Sequence, residues 1–423
     1  MRLGQLAAMM TTLVLWSALS SLLGAQQTLA ISAEKIYVGD GTIIEKGVII
    51  VSGGKILAIG PGSQIEIPRG TRRLRVRGSV TPGFIDAAAD ALLGASKDEQ
   101  SSEVTPEGRA IDGLDFGSLL MKRLAREGVT TVYATAGNSA VITAQGATVK
   151  TGTGDVQNRI LTRDGAPKLV LISGPERGNA RPRNPAGISD FTRLPLGRMG
   201  GIFVARSALG QAKDRLRIAK AGGKVAKNAA FDVLGEVLSG KRRMRVLARR
   251  QNEVSTASRL AKEFGFSYVI EQGNEAYKNI RELKRDHAAV IYGPMRSSSP
   301  SMAGVSRQLR RFFTDPNLNK ILSTPRVLID AKIPTALTAG GNTGEYGLAR
   351  QAMLAMRCGL SRAEALAAVT TVPAQLLGVQ DRVGTLKVGR DADLIVWSGE
   401  PLDATSIQSH VFIGGRRVAG KVF

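Results

Sequence analysis

Ser79-Val80-Thr81-Pro82-Gly83-Phe84-Ile85-Asp86-Ala87-Ala88-Ala89-Asp90 is the stretch on which the reading of this chain turns. Pro82-Gly83 is a turn dipeptide, because proline presets φ and glycine accepts conformations closed to other residues. It leads into an apolar strand that starts at Phe84-Ile85 and runs past Asp86 through three alanines to Asp90. The chain before this turn is patterned differently from the chain after it.

Upstream, from Ile31 to about Val80, the pattern is short hairpins. Lys35-Ile36-Tyr37-Val38, Gly47-Val48-Ile49-Ile50-Val51 and Lys55-Ile56-Leu57-Ala58-Ile59 are separated by Asp40-Gly41 and Gly53-Gly54, strong hairpin turns. The C-terminal stretch reads likewise. Asp391-Ala392-Asp393-Leu394-Ile395-Val396-Trp397 and His410-Val411-Phe412-Ile413 are strands, and Gly414-Gly415 turns into Arg416-Arg417-Val418. Neither end has enough strands to close a core alone. The expectation is a small composite β-sandwich built from both termini, residues 31–80 with 384–423.

Downstream of the turn, strand and helix alternate, which favours a parallel sheet with crossover helices. Strand candidates are Gly128–Tyr133, 168–172, Met244–Ala248, Tyr268–Glu271, Ala288–Tyr292 and Pro334–Thr338. About eight strands over roughly 300 residues predict an α/β fold of the (β/α)8 TIM-barrel type, spanning 81–383. A doubly wound open sheet is the alternative, but no Gly-x-Gly-x-x-Gly opens a strand-to-helix turn. Two long loops, 174–201 and 293–304, are rich in glycine and polar residues and could cover a site or be surface insertions. Ser361-Arg362-Ala363-Glu364 is a capping box that starts an apolar helix.

The 423-residue chain carries 58 Lys and Arg against 35 Asp and Glu, a net charge of +23. Such a balance suits an anionic polymer or a membrane surface, or basic residues spread over outer helices. Aromatic residues make up only 4% of the chain, leaving no stacking platform for single-stranded nucleic acid, so no specific nucleic-acid partner is expected. Residues 1–30 differ from the rest. Arg2 is their only charge, Leu6 to Leu23 is mostly apolar, and Leu23-Gly24-Ala25 and Thr28-Leu29-Ala30 are small-residue cleavage candidates. That segment reads as a signal peptide and predicts an exported protein, periplasmic or extracellular, with an uncleaved N-terminal anchor as the alternative. A single cysteine, Cys358, excludes an intrachain disulfide, and its helical apolar surroundings place it in the core.

The C-terminal run is the most specific part. Gly359-Leu360-Ser361-Arg362-Ala363-Glu364-Ala365-Leu366 is followed by Thr371-Val372-Pro373-Ala374, then by Val383-Gly384-Thr385-Leu386-Lys387-Val388-Gly389-Arg390-Asp391-Ala392-Asp393-Leu394. This succession, with Pro82-Gly83-Phe84-Ile85-Asp86 and Arg126-Glu127-Gly128-Val129-Thr130-Thr131-Val132, resembles the imidazolonepropionase-like branch of the amidohydrolase superfamily. The resemblance runs over nearly the whole chain after residue 30. It implies a barrel with a composite sandwich, an active site at the C-terminal ends of the barrel strands, and hydrolysis of C–N bonds, often in cyclic amides. It also implies Zn²⁺ or another divalent metal, because bound water must lose a proton near neutral pH.

Histidine nitrogens and carboxylate oxygens hold such a metal, and the resemblance implies four histidines and an aspartate. This chain has two histidines. The two first-strand histidine positions hold Ala88 and Asp90. The fifth-strand position holds Arg249 (Leu247 if the register slips by two), the sixth holds Gln272, and Gly340 takes the place of the final aspartate. His287 opens a strand and His410 falls in the terminal β-region. No metal cofactor is therefore expected. An ion pair between Asp90 and Arg249 is predicted where the metal would sit, with Asp86 anchoring the strand end. Lys150 and Lys168 are the candidates for a bridging lysine that some members carboxylate. The expected function is that of a metal-free pseudoenzyme binding a small molecule or protein partner, as monomer or oligomer. One alternative is a divergent hydrolase using Asp86, Asp90 and Glu275 with Mg²⁺ or Mn²⁺. The other is a scaffold that binds anionic polymers.

Overall fold

A computed structural model describes residues 28–99, 101–171, 195–295 and 322–420. Residues 1–27 of the expected signal segment, and most of the two long loops, lie outside the described residues.

The N-terminal hairpins are β1 (Leu29–Tyr37), β2 (Ile43–Ser52), β3 (Lys55–Pro61) and β4 (Arg72–Pro82). Gly83 passes β4 directly into β5 (Phe84–Ala89). There follow β6 (Val129–Ala134), β7 (Ile142–Thr143), β8 (Ala147–Lys150), β9 (Ile160–Thr162) and β10 (Lys168–Val170). The later middle strands are β11 (Met244–Ala248), β12 (Tyr268–Gln272), β13 (Ala289–Tyr292) and β14 (Thr335–Leu337). The chain ends in β15 (Leu394–Trp397), β16 (Gln408–Ile413) and β17 (Arg416–Gly420).

Both termini contribute to one sheet, in the order β17-β16-β15-β4-β1-β2-β3. The ladders thus join as a single seven-stranded sheet what the hairpin pattern suggested as a sandwich. This sheet rolls up. The β2–β3 turn at Gly53-Gly54 meets the β16–β17 turn at Gly414-Gly415 so closely that a Cβ on Gly54 would stand 3.0 Å from the Gly414 carbonyl oxygen. Rolling encloses an apolar cluster that includes Ile31, Ile36, Ile49, Ile56, Leu394, Val396 and Phe412. Strand alternation supplies it: in β4, Leu74 and Val76 pack against the cluster while Arg73, Arg75 and Arg77 are exposed.

The middle region forms two open sheets, β5-β6-β8-β9 and β14-β13-β12-β11-β10-β7. From β10 to β14 every pairing is parallel, as the strand–helix alternation predicts. The departure is β8, which returns antiparallel to β6 and pairs antiparallel with β9. No helix separates β6 from β8, and a parallel return needs a crossover long enough for one. Among the described residues no ladder links the two sheets into one closed barrel.

Period-two alternation sorts the parallel strands. Met244, Val246, Ala248, Tyr268, Ile270, Val290 and Tyr292 join the main core. There they meet Leu209 of the helix Arg198–Lys220 and Val254, Ala257 and Leu260 of the helix Gln251–Phe264. The intervening residues Val269, Ala289, Ile291 and Ala336 form a separate cluster with Ala87 and Ala88 of β5. The capping box is present: Ser361 Oγ accepts from the Glu364 amide at 3.2 Å, and the Glu364 carboxylate accepts from the Ser361 amide at 2.8 Å. Cys358 is only partly buried, because it falls at the C-terminal end of the helix Leu348–Arg357 instead of on its packed face.

Candidate active site

Asp86 is fully buried on β5. Its carboxylate accepts from the Thr338 hydroxyl and from the backbone amides of Ala88 (3.3 Å), Ala339 (3.3 Å) and Gly341 (3.0 Å). Thr338 also donates to the Ala88 carbonyl at 3.1 Å. Burial raises the carboxyl's pKa, and the four donors oppose that rise. Asp86 therefore clips the first middle strand to the turn after β14.

One layer in, three charges share a buried space. Arg245 on β11 donates through Nε to Glu271 on β12, and through Nη2 to the Ala87 carbonyl at 2.6 Å. Its guanidinium lies 4.1 Å over the ring of Tyr133 on β6. Lys168 on β10 stands 3.9 Å from Glu271 and donates to the Ala136 carbonyl and to Asn138 Oδ1. Arg245, Glu271 and Lys168 are all buried. Burial pushes the Glu271 carboxyl up, yet Arg245 and Lys168 hold it below the ordinary range. Desolvation lowers the Lys168 ammonium, with Glu271 and Asp90 acting against it.

Ala88 lies on β5, packed in the apolar cluster with Val269, Ile291 and Ala336. Asp90 opens the 3-10 helix Asp90–Lys97, and Lys97 Nζ sits 3.0 Å from Asp90 Oδ2. Gly340 follows β14 with φ 68°, and a Cβ there would lie 3.6 Å from Asp90 Oδ1, so these two positions face each other. Arg249 follows β11 and donates through Nε to Gln272 Oε1 at the end of β12. Leu247, the alternative register, is buried within β11. The structure thus brings Asp90 to Gly340 and Arg249 to Gln272. It does not form the predicted Asp90–Arg249 ion pair: among the described residues none joins them, because Lys97, at the far end of the same short helix, folds back onto Asp90.

Glu275 is at this rim but already engaged. It accepts from the Gln251 amide at 2.8 Å, at the start of the helix Gln251–Phe264, and from Lys278 at 3.2 Å. Asp86, Asp90 and Glu275 do not converge, and among the described residues no group of three His, Cys, Asp or Glu is placed to hold a metal. Lys150 is a correction. It is opposite Thr131 in the first half of β6, away from the strand's C-terminal end, and is buried 2.6 Å from Asp391 and 2.9 Å from Asp393. Of the two candidate lysines only Lys168 belongs with the interior charges. His287 precedes β13 and His410 stacks on Phe412 in β16. Arg245 and Glu271 escaped the sequence reading; the available signal was a charged residue in the middle of each buried strand.

The geometry defines an α/β protein whose parallel strands converge at their C-terminal ends on a polar rim over a charged interior. A family model described as "Amidohydrolase family" matches residues 334–419. The amidohydrolase tasK of Hapsidospora irregularis is 22% identical over 423 residues, covering 90% of this chain and 40% of that protein. The imidazolonepropionase of Hahella chejuensis is 44% identical over 70 residues, 16% of this chain and 17% of that one. The chain thus spans well under two thirds of these curated relatives. The solved structure of an amidohydrolase from Thermotoga maritima matches with a TM-score of 0.78 at 26% identity, covering 93% of this chain and all of that one. The chain belongs to the amidohydrolase superfamily, in its imidazolonepropionase-like branch.

Hydrolases of this superfamily typically use a divalent metal. The side chains at the five positions equated with its ligands do not fit one. Ala88 and Gly340 have no donor atom, Gln272 is bonded to a guanidinium, and Asp90 is bonded to an ammonium. A divalent cation placed among them would meet Arg249 and Lys97, both of like charge.

Proposed function

We propose that this chain keeps the amidohydrolase frame, a (β/α)8 barrel with a composite β-domain, while the rim described here binds a ligand or partner without metal-dependent hydrolysis. The observation that carries this reading is the paired chemistry of the rim, Lys97 on Asp90 and Arg249 on Gln272, with Gly340 facing Asp90 and Ala88 packed in an apolar cluster. Fixed cations there take over the charge that a metal would supply. Barrel closure is supported by the Asp86–Thr338 clip and by the reach of Arg245 to the Ala87 carbonyl, which tie β5 to β14 and β11. Residues 81–383 are proposed as the barrel, and 31–80 with 384–423 as the composite unit. Export, through residues 1–30, belongs to the same proposal.

The test is the metal content of the purified protein, prepared without added metal or chelator and measured by elemental mass spectrometry. Less than about a tenth of an equivalent, with no uptake from Zn²⁺ or Mn²⁺, is expected. Near-stoichiometric metal that is lost in Asp90→Ala would overturn the reading. It would also favour the second one, a divergent hydrolase of C–N bonds, whose support is the near full-length likeness to a solved amidohydrolase.

A further inference from the structure

The rolled sheet built from the two chain ends has an open mouth of its own, separate from the rim of the middle strands. A cavity of about 640 Å³ lies between the start of β4, the β2–β3 turn and the β16–β17 hairpin. Four guanidinium groups border it, those of Arg72, Arg73, Arg416 and Arg417. All four residues are exposed, no carboxylate is among the lining residues, and among the described residues none of the four forms an ion pair with an acid. Some other basic side chains in and beside this sheet are matched, Lys55 and Arg382 on Asp391 and Lys35 on Glu400, whereas Arg75 and Arg77 stand exposed further along β4.

The cavity's floor is of opposite character. Leu29, Val51, Leu74 and Phe412 line it, and these same residues belong to the apolar cluster that fills the rolled sheet. Among the described residues the cavity is therefore the open end of the sheet's own core, bordered by positive charge. Its volume falls in the usual range for one small ligand, and mouths of rolled sheets are common ligand sites. Guanidinium forks match carboxylate and phosphate oxygens in pairs. We propose that this mouth binds a small amphiphilic anion, its carboxylate or phosphate head among the four arginines and its apolar body over Leu74 and Phe412.

The test is calorimetric titration of the purified protein with n-dodecyl phosphate below its micellisation concentration. Inorganic phosphate and dodecyltrimethylammonium serve as head-only and reversed-charge probes, and vesicles of anionic phospholipid as a membrane surface. One-to-one binding of dodecyl phosphate is expected, weakened about tenfold or more in Arg72→Gln/Arg416→Gln and unchanged in Arg206→Gln, an exposed residue of the helix Arg198–Lys220 outside the cavity. Circular dichroism on each variant checks that it remains folded; both arginines are exposed, so it should. The proposal falls if dodecyltrimethylammonium binds equally well, if inorganic phosphate binds as tightly as the amphiphile, or if the double variant keeps full affinity. Binding to vesicles without binding of the monomeric amphiphile would assign the arginines to a membrane surface and overturn it as well.

Discussion

Glu271→Gln should be among the most damaging single changes that keep the size and shape of a side chain in this protein. The carboxylate is bonded to Arg245 and lies 3.9 Å from Lys168, with all three residues buried. A pair of unit charges at 4 Å attracts by about 4 kcal/mol at the effective dielectric suited to protein sites, so two pairs bound the loss at roughly 8 kcal/mol. Two effects reduce it. The neutral amide no longer suffers the desolvation of a buried carboxylate, and its oxygen can still accept from Arg245. What remains is two buried cations facing each other, and a net cost of about 3–5 kcal/mol is expected. Arg245→Met should cost a similar amount, and the double variant about 1–3 kcal/mol less than the sum of the two. Urea denaturation followed by far-ultraviolet circular dichroism measures all three. The pH dependence gives a second reading. Because Arg245 and Lys168 hold the Glu271 carboxyl below its ordinary value of 4.5 against the opposing effect of burial, its stabilisation is complete above that value. It is lost as pH falls through the folded-state value, so the gap between wild type and Glu271→Gln should close on acidification. A cost under about 1 kcal/mol at neutral pH, or a gap that persists unchanged into strong acid, would refute the reasoning.

Three further outcomes follow from single contacts. Thr338→Val removes the hydroxyl that donates to Asp86 and to the Ala88 carbonyl; thermal or urea denaturation should show a loss of about 1–3 kcal/mol. Lys150→Met leaves Asp391 and Asp393 buried with one cation fewer, and should cost about 3 kcal/mol at neutral pH by the same measurement; because Lys150 helps hold the Asp391 carboxyl below its ordinary value against burial, the loss should shrink in acid. Gly78→Ala would place a Cβ 2.1 Å from the Trp397 carbonyl oxygen; prising β4 from β15 should cost about 3 kcal/mol and shift the tryptophan emission.

The hairpins of both ends and the strands β11 to β14 were legible in the sequence, because glycine pairs mark the turns and the apolar runs are short and well punctuated. The single rolled sheet was not, since strand order between distant segments leaves no local trace; β4 finds β1 on one side and β15 on the other. The β8–β9 hairpin was missed for a different reason. Its strands are only four and three residues long, too short for a periodic signal. In the candidate site, the positions Ala88, Asp90, Arg249, Gln272 and Gly340 could be located from the chain alone, but not their partners. Asp90 was matched by charge to Arg249 across the rim, whereas the fold offered it Lys97, seven residues away on the same helix. Arg245 and Glu271 were invisible as a pair because adjacent parallel strands here are separated by a helix, which sets the two residues 26 positions apart.

The positions that carry the resemblance are distributed unevenly over the structure, and that bears on activity. In the stretch 334–419, Ser361 and Glu364 cap a helix, and Glu364 also holds Arg326 at 2.7 Å. Asp391 gathers Lys55, Lys150 and Arg382, while Asp393 takes Lys150 and the Gly414 amide at 2.7 Å. Trp397 packs 6.0 Å from Phe84 and donates to Thr81 at 3.0 Å, joining β15 to β4 and to the start of β5. Of these contacts, Lys150 with Asp391 and Asp393 and Trp397 with Phe84 tie the rolled sheet to the middle strands, the others hold each part together, and none of them involves Asp90, Arg249, Gln272 or Gly340. Asp86 belongs with them, since three of its four donors, from Thr338, Ala339 and Gly341, close β5 against the turn after β14. A frame held by such contacts can persist while the rim changes, because the rim pairs Arg249–Gln272 and Asp90–Lys97 share no residue with them. The recognisable sequence is therefore evidence of how the chain is assembled, and the chemistry has to be judged at the rim, where fold carries no warrant for activity.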